Sequence, residues 1–135
     1  MVRWIPEPFI RVLNLSPVFT FAKVYDAIAT VLLHGSTIAF AIEYERTLKS
    51  QARYDKIYEA IESEKRLKTF LYLVPSYSLQ YDLVHEFQNT RKWLLFGLID
   101  PFKREVFNTK VYTPVLRREV VLEHALLATN DDGRT

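Results

Sequence analysis

Residues 23–49 read KVYDAIATVLLHGSTIAFAIEYERTLK, and this stretch decides the architecture. From Phe19 to Leu33 the residues are β-branched, aromatic or small, and Lys23 and Asp26 are the only charges, which predicts a strand. His34-Gly35-Ser36 reads as a short turn. Thr37 to Ile42 is an uninterrupted apolar run of strand length, as in a central strand covered on both faces. The two strands form a hairpin. Asp26 lies nine residues before Gly35 and Tyr44 nine after it, so Asp26 falls opposite residue 43 or 44. Strand alternation puts Glu43 and Glu45 on one side and Tyr44 on the other.

Beyond the hairpin the period changes. Tyr54, Ile57, Tyr58 and Ile61 recur at helical spacing, which predicts a helix from Thr47 to about Leu67. Thr69 to Val74 reads as a strand ended by Pro75. Ser76 or Ser78 then caps a helix running to about Gln88, and Trp93 to Ile99 is a further strand stopped at Asp100-Pro101. Lys110 to Tyr112 reads as a short edge strand, and Val115 to Ala128 as a terminal amphipathic helix with a frayed tail behind it. Before the hairpin, Trp4 to Ile10 is an extended segment punctuated by Pro6 and Pro8. A hairpin followed by a strand-helix-strand unit implies an α/β fold, a mixed central sheet flanked by helices.

The 135 residues suit one domain, 1–135, with 113–135 forming its C-terminal helix and tail. The chain is 49% hydrophobic and 25% charged, the balance of a folded protein. A formal net charge of +2 does not by itself announce a nucleic-acid binder, so the placement of the charges carries the argument. Without cysteine there is no disulfide scaffold, thiol nucleophile or Cys-based zinc site. No apolar run reaches the roughly 18 residues that span a bilayer, and residues 1–4 lack a secretory signal. The expectation is a cytoplasmic protein with no membrane partner. His34, His85 and His124 lack metal-ligand spacing, and three glycines provide no phosphate loop.

The chemistry concentrates on carboxylates. An unpaired acid inside an apolar strand costs several kcal/mol, so Asp26 is ion-paired, metal-bound or on a solvated face. Like charges facing one another across a sheet destabilise it, and a hard divalent cation removes that cost. In the plainer alternative Asp26 pairs with Lys23, Lys49 or Arg53, and Glu43 merely begins the polar end of its strand. Arg46, Lys49, Arg53 and Lys56 recur at steps of three, four and three, so on a helix they share one face, suited to phosphates. Their plainer alternative is a solvated helix paired with Asp55, Glu59, Glu62 and Glu64.

The segment from Phe40 to Ser50, followed by Arg53-Tyr54, resembles a signature of the replication-relaxation proteins of plasmids and mobile elements, which include C-type mobilisation relaxases. Their domain is similar to a PD-(D/E)xK nuclease with a restriction-endonuclease-like core. Tyr25-Asp26-Ala27 corresponds to the "PDA" element with tyrosine in place of proline, and Trp4-Ile5-Pro6-Glu7 resembles the preceding "W-x-x-E". The resemblance covers residues 4 to 75. It implies a metal-dependent DNA endonuclease or nickase of plasmid replication or mobilisation. Asp26 and Glu43 would hold Mg²⁺ or Mn²⁺, with Glu7 and Glu45 assisting. Lys49 would orient water or the scissile phosphate, while Arg46, Arg53 and Lys56 join it in positioning DNA. Glu45 occupies the place where the nuclease pattern has lysine, and Lys49 can return an ammonium. Family members also carry a winged-helix-type region, so the expectation is an excised domain or a reduced member. The alternative is an inactive nuclease fold kept as a DNA-binding or protein-docking module of the same systems.

Overall fold

The hairpin turns on two residues with positive φ, His34 at 49° and Gly35 at 80°. Such a turn matches the right-handed twist of the strands that it joins. In the computed structural model, which describes residues 2–6 (backbone path), 21–87 and 89–131, this hairpin is β2 (Ala27–Leu33) and β3 (Ser36–Tyr44). Before it comes β1 (Val2–Pro6). After it come α1 (Gln51–Ser63), β4 (Thr69–Val74), α2 (Tyr77–Glu86), β5 (Trp93–Leu98), α3 (Ile99–Glu105), β6 (Lys110–Thr113), β7 (Arg118–Val121) and α4 (Leu122–Asp131).

The seven strands form one sheet in sequence order. The first three are antiparallel neighbours, β3, β4 and β5 run parallel, and β6 and β7 return antiparallel. The fold is therefore α/β, with a mixed central sheet flanked by helices. Parallel neighbours need a crossover, and α1 and α2 supply the two. Both helices pack on one face, where Tyr54, Ile61 and Leu83 meet Ala41, Phe70, Tyr72 and Phe96. The opposite face carries Phe40, Ile42, Leu71, Leu73 and Leu95 beneath Leu122, Ala125 and Leu126 of α4. Successive residues of β3 and β4 serve alternate cores, which explains their unbroken apolar runs.

Several boundaries depart from expectation for physical reasons. The first strand of the hairpin, expected from Phe19, begins at Ala27 within the described residues, because side chains replace the ladder at Asp26; residues 19 and 20 lie outside the described residues. The first helix begins at Gln51 rather than Thr47: Ser50 has extended geometry, and its Oγ accepts the Arg53 N–H at 3.4 Å, an N-cap. Arg46 and Lys49 thus precede the helix, and only Arg53 and Lys56 of the basic series lie on it. Asp100-Pro101 does not stop the chain but starts α3, since proline is tolerated in a first helical turn. The strand at Lys110 is not an edge, because β7 pairs with it. The terminal helix begins at Leu122 rather than Val115. A turn closed by the Arg117 N–H on the Thr113 carbonyl at 2.8 Å, with Arg117 at φ 56°, converts the intervening residues into β7.

Candidate functional site

Asp26 and Glu43 face each other one step beyond the last paired residues of the hairpin, Ala27 and Ile42. There the two acids substitute for the ladder. The Asp26 N–H donates to Glu43 Oε1 at 3.1 Å, and the Tyr44 N–H donates to Asp26 Oδ2 at 2.7 Å. β2 therefore begins only at Ala27, while β3 continues past it beside β4, with Glu43 next to Tyr72 and Tyr44 next to Leu73. The acids lie at the C-terminal end of the parallel strands, the end at which open α/β sheets bind ligands.

Burial divides the pair. Asp26 is exposed, whereas Glu43 retains 8% of its surface. Desolvation raises the Glu43 carboxyl above the ordinary 4.5, the Lys23 ammonium works against it, and Asp26 adds to the rise. Lys23 Nζ sits 3.0 Å from Glu43 Oε1. Among the described residues, Glu43 Oε2 and Asp26 Oδ1 receive no hydrogen bond. Tyr72, under the same helices, is fully buried, and its hydroxyl has no partner among the described residues. Burial raises its pKa, and the charges of Glu43 and Glu45 raise it further.

Glu45 is buried and ion-paired to Lys49 four residues on. The Lys49 backbone N–H donates to Tyr54 Oη at 3.0 Å, and its ammonium lies 5.9 Å from the centre of the Tyr54 ring. Lys49 is thereby held between α1 and the carboxylates. Arg46 lies 5.7 Å from the Tyr44 ring centre on the exposed side of β3. Arg46, Arg53 and Lys56 are exposed and form no ion pair among the described residues, so the pairing with Asp55, Glu59, Glu62 and Glu64 is not formed there. Glu7 lies outside the described residues.

Two residues that matter here carry no signal in the sequence. Glu64 sits in a charged run that looks solvated, yet it is 3% exposed. Its Oε1 accepts from Tyr25 Oη at 2.6 Å and from the Ala22 N–H at 3.0 Å, tying the segment before Asp26 to the end of α1. Tyr25 is anchored further by Phe70, with ring centres 5.8 Å apart. Tyr72 is the second, hidden inside an apolar strand. Its position beside Glu43 follows only from the parallel register of β3 and β4.

As chemistry, the arrangement offers two carboxylates with one uncommitted oxygen each, a buried hydroxyl, and an ammonium held by Glu45 in the loop before α1. Oxygen donors alone suit a hard divalent cation, which binds through one or two carboxylates and keeps its remaining positions for water and phosphate. Among the described residues, no group of three or more His, Asp or Glu is placed to hold a metal. Comparison with protein families, with curated proteins and with solved structures gives no match to this chain.

Proposed function

We propose that the chain is a metal-dependent DNA endonuclease or nickase with a restriction-endonuclease-like core, acting in plasmid or mobile-element replication or mobilisation. The observation that carries this reading is the juxtaposition of Asp26 and Glu43 across the splayed end of β2 and β3. The element order supports it, since the two strands that bring Asp26 and Glu43 together are followed directly by the helix that carries Arg53 and Lys56. Asp26 and Glu43 would hold Mg²⁺ or Mn²⁺, and the bound ion supplies an activated water and charge neutralisation at the phosphate.

The chain's own residues do the rest. Lys23 favours the charged form of buried Glu43 against its desolvation, and Oε2 is the oxygen that would serve as a donor. Glu45 holds Lys49 rather than joining the donor set, so the ammonium is presented from the loop before α1. Lys49 would orient the scissile phosphate or the attacking water. Arg46, Arg53 and Lys56 would hold backbone phosphates, fixing position without reading sequence. Among the described residues no helix is long and apolar enough to cross a membrane. Action on cytoplasmic DNA, with mobilisation or replication proteins as partners, belongs to this proposal.

The test is nicking of supercoiled plasmid in added Mn²⁺. Activity should be lost in both Asp26→Ala and Glu43→Ala, and unchanged nicking in the two variants would sink the reading. One observation favours a second reading: each acid already has a partner within the chain. An inactive nuclease fold that binds DNA would need no metal, and its affinity would fall with salt.

A further inference from the structure

We propose that a second site, at the opposite end of the sheet from Asp26 and Glu43, binds a phosphate group carried by a nucleotide or by a nucleic-acid strand. An open cavity of about 780 Å³ lies between the starts of β3, β4 and β5, the last turn of α1 and the end of α4. That volume is in the range of small-ligand pockets. Among the described residues its lining carries five cationic side chains, Lys65, Arg66, Lys68, Arg91 and Lys92, of which Arg66 and Lys68 have interactions of their own, beside the carboxylates of Glu62 and Glu64. The whole chain has a net charge of only +2, so this concentration of positive charge is local.

Both carboxylates are committed inward. Glu62 Oε1 accepts from the Thr90 hydroxyl and from the Arg91 N–H at 2.9 Å. Glu64 accepts from Tyr25, Ala22 and the Arg66 N–H. Lys92 is 4% exposed and has no carboxylate at ion-pair distance among the described residues. Its ammonium donates to the Glu64 carbonyl and, at 3.3 Å, to the Leu67 carbonyl, so two of three N–H groups are used. A buried ammonium with a spare donor is costly in isolation. An anion that accepts from Lys92 offsets that cost, and Lys65 and Arg91 at the rim would hold its remaining oxygens. The inference is independent of any nuclease activity.

Calorimetric titration tests it with inorganic phosphate, ATP without divalent metal, and a short single-stranded oligonucleotide. Wild type should bind phosphate. The Lys65→Ala/Arg91→Ala double variant should bind every probe at least about tenfold more weakly, as the loss of two charge-assisted hydrogen bonds predicts. Lys103→Ala/Lys110→Ala, which removes as much charge outside the cavity, should bind as wild type does. Thermal unfolding of each variant establishes that it is folded. Tighter ATP than oligonucleotide identifies a free nucleotide as the source of the phosphate, and the reverse order identifies a strand. No heat with any probe, or equal weakening in both double variants, overturns the site.

Discussion

Glu43 is the residue on which the chemistry turns, because burial and a cation act on it in opposite directions. Its folded pKa is raised above 4.5, so the folded state binds the proton more tightly than the unfolded chain. The sign follows: its contribution to stability is fully present below the unfolded value and is lost as pH rises through the raised folded value. The melting temperature of wild type relative to Glu43→Gln should therefore fall as pH climbs across that window, and a difference independent of pH would contradict the assignment. Divalent-cation binding runs the other way, since the donor must be deprotonated, and should weaken as pH drops through the same window. Tyr72 makes a second claim at this scale. Its buried hydroxyl has no partner among the described residues, so Tyr72→Phe should stabilise the metal-free protein by about 1 kcal/mol in urea unfolding. Of the site residues, Asp26 and Glu43 were legible in sequence because their distance from Gly35 fixes the hairpin register. Glu64 and Tyr72 were not: the role of one depends on contacts some forty residues away, and that of the other on a parallel neighbour.

At the scale of elements, the alternation of cores within β3, β4 and β5 leaves long apolar runs that are readable as buried strands. The helical period of Tyr54, Ile57, Tyr58 and Ile61 likewise places α1. The ends were harder. Where a side chain or a non-glycine residue does the turning, as at Asp26 and Arg117, composition holds no punctuation mark. Helix α1 also carries the exposed cations proposed for DNA. Arg53→Ala/Lys56→Ala should reduce the slope of log affinity against log salt by about two, leaving the metal affinity unchanged. An unchanged slope would remove α1 from the DNA surface.

At the scale of the molecule, one sheet separates two cores, and each is closed by its own pair of helices. Leu83 on one side and Leu126 on the other are both fully buried. Leu83→Ala and Leu126→Ala should each cost about 2–5 kcal/mol, as cavity-forming substitutions do. Because the central strands contribute to both cores, each variant should still unfold in a single transition by fluorescence and circular dichroism. Separate transitions would mean that the sheet does not couple its two faces.

The sheet also sets the polarity of the proposed sites, with the acids at the C-terminal ends of the parallel strands and the basic cavity at their starts. The central claim is that Asp26 and Glu43 together form a cation site. Calorimetric titration of Mn²⁺ into the protein tests it most directly. Wild type should show one saturable site that is lost in Asp26→Asn and in Glu43→Gln while both variants remain folded. Saturable Mn²⁺ binding that survives both substitutions, or none in wild type, would contradict it.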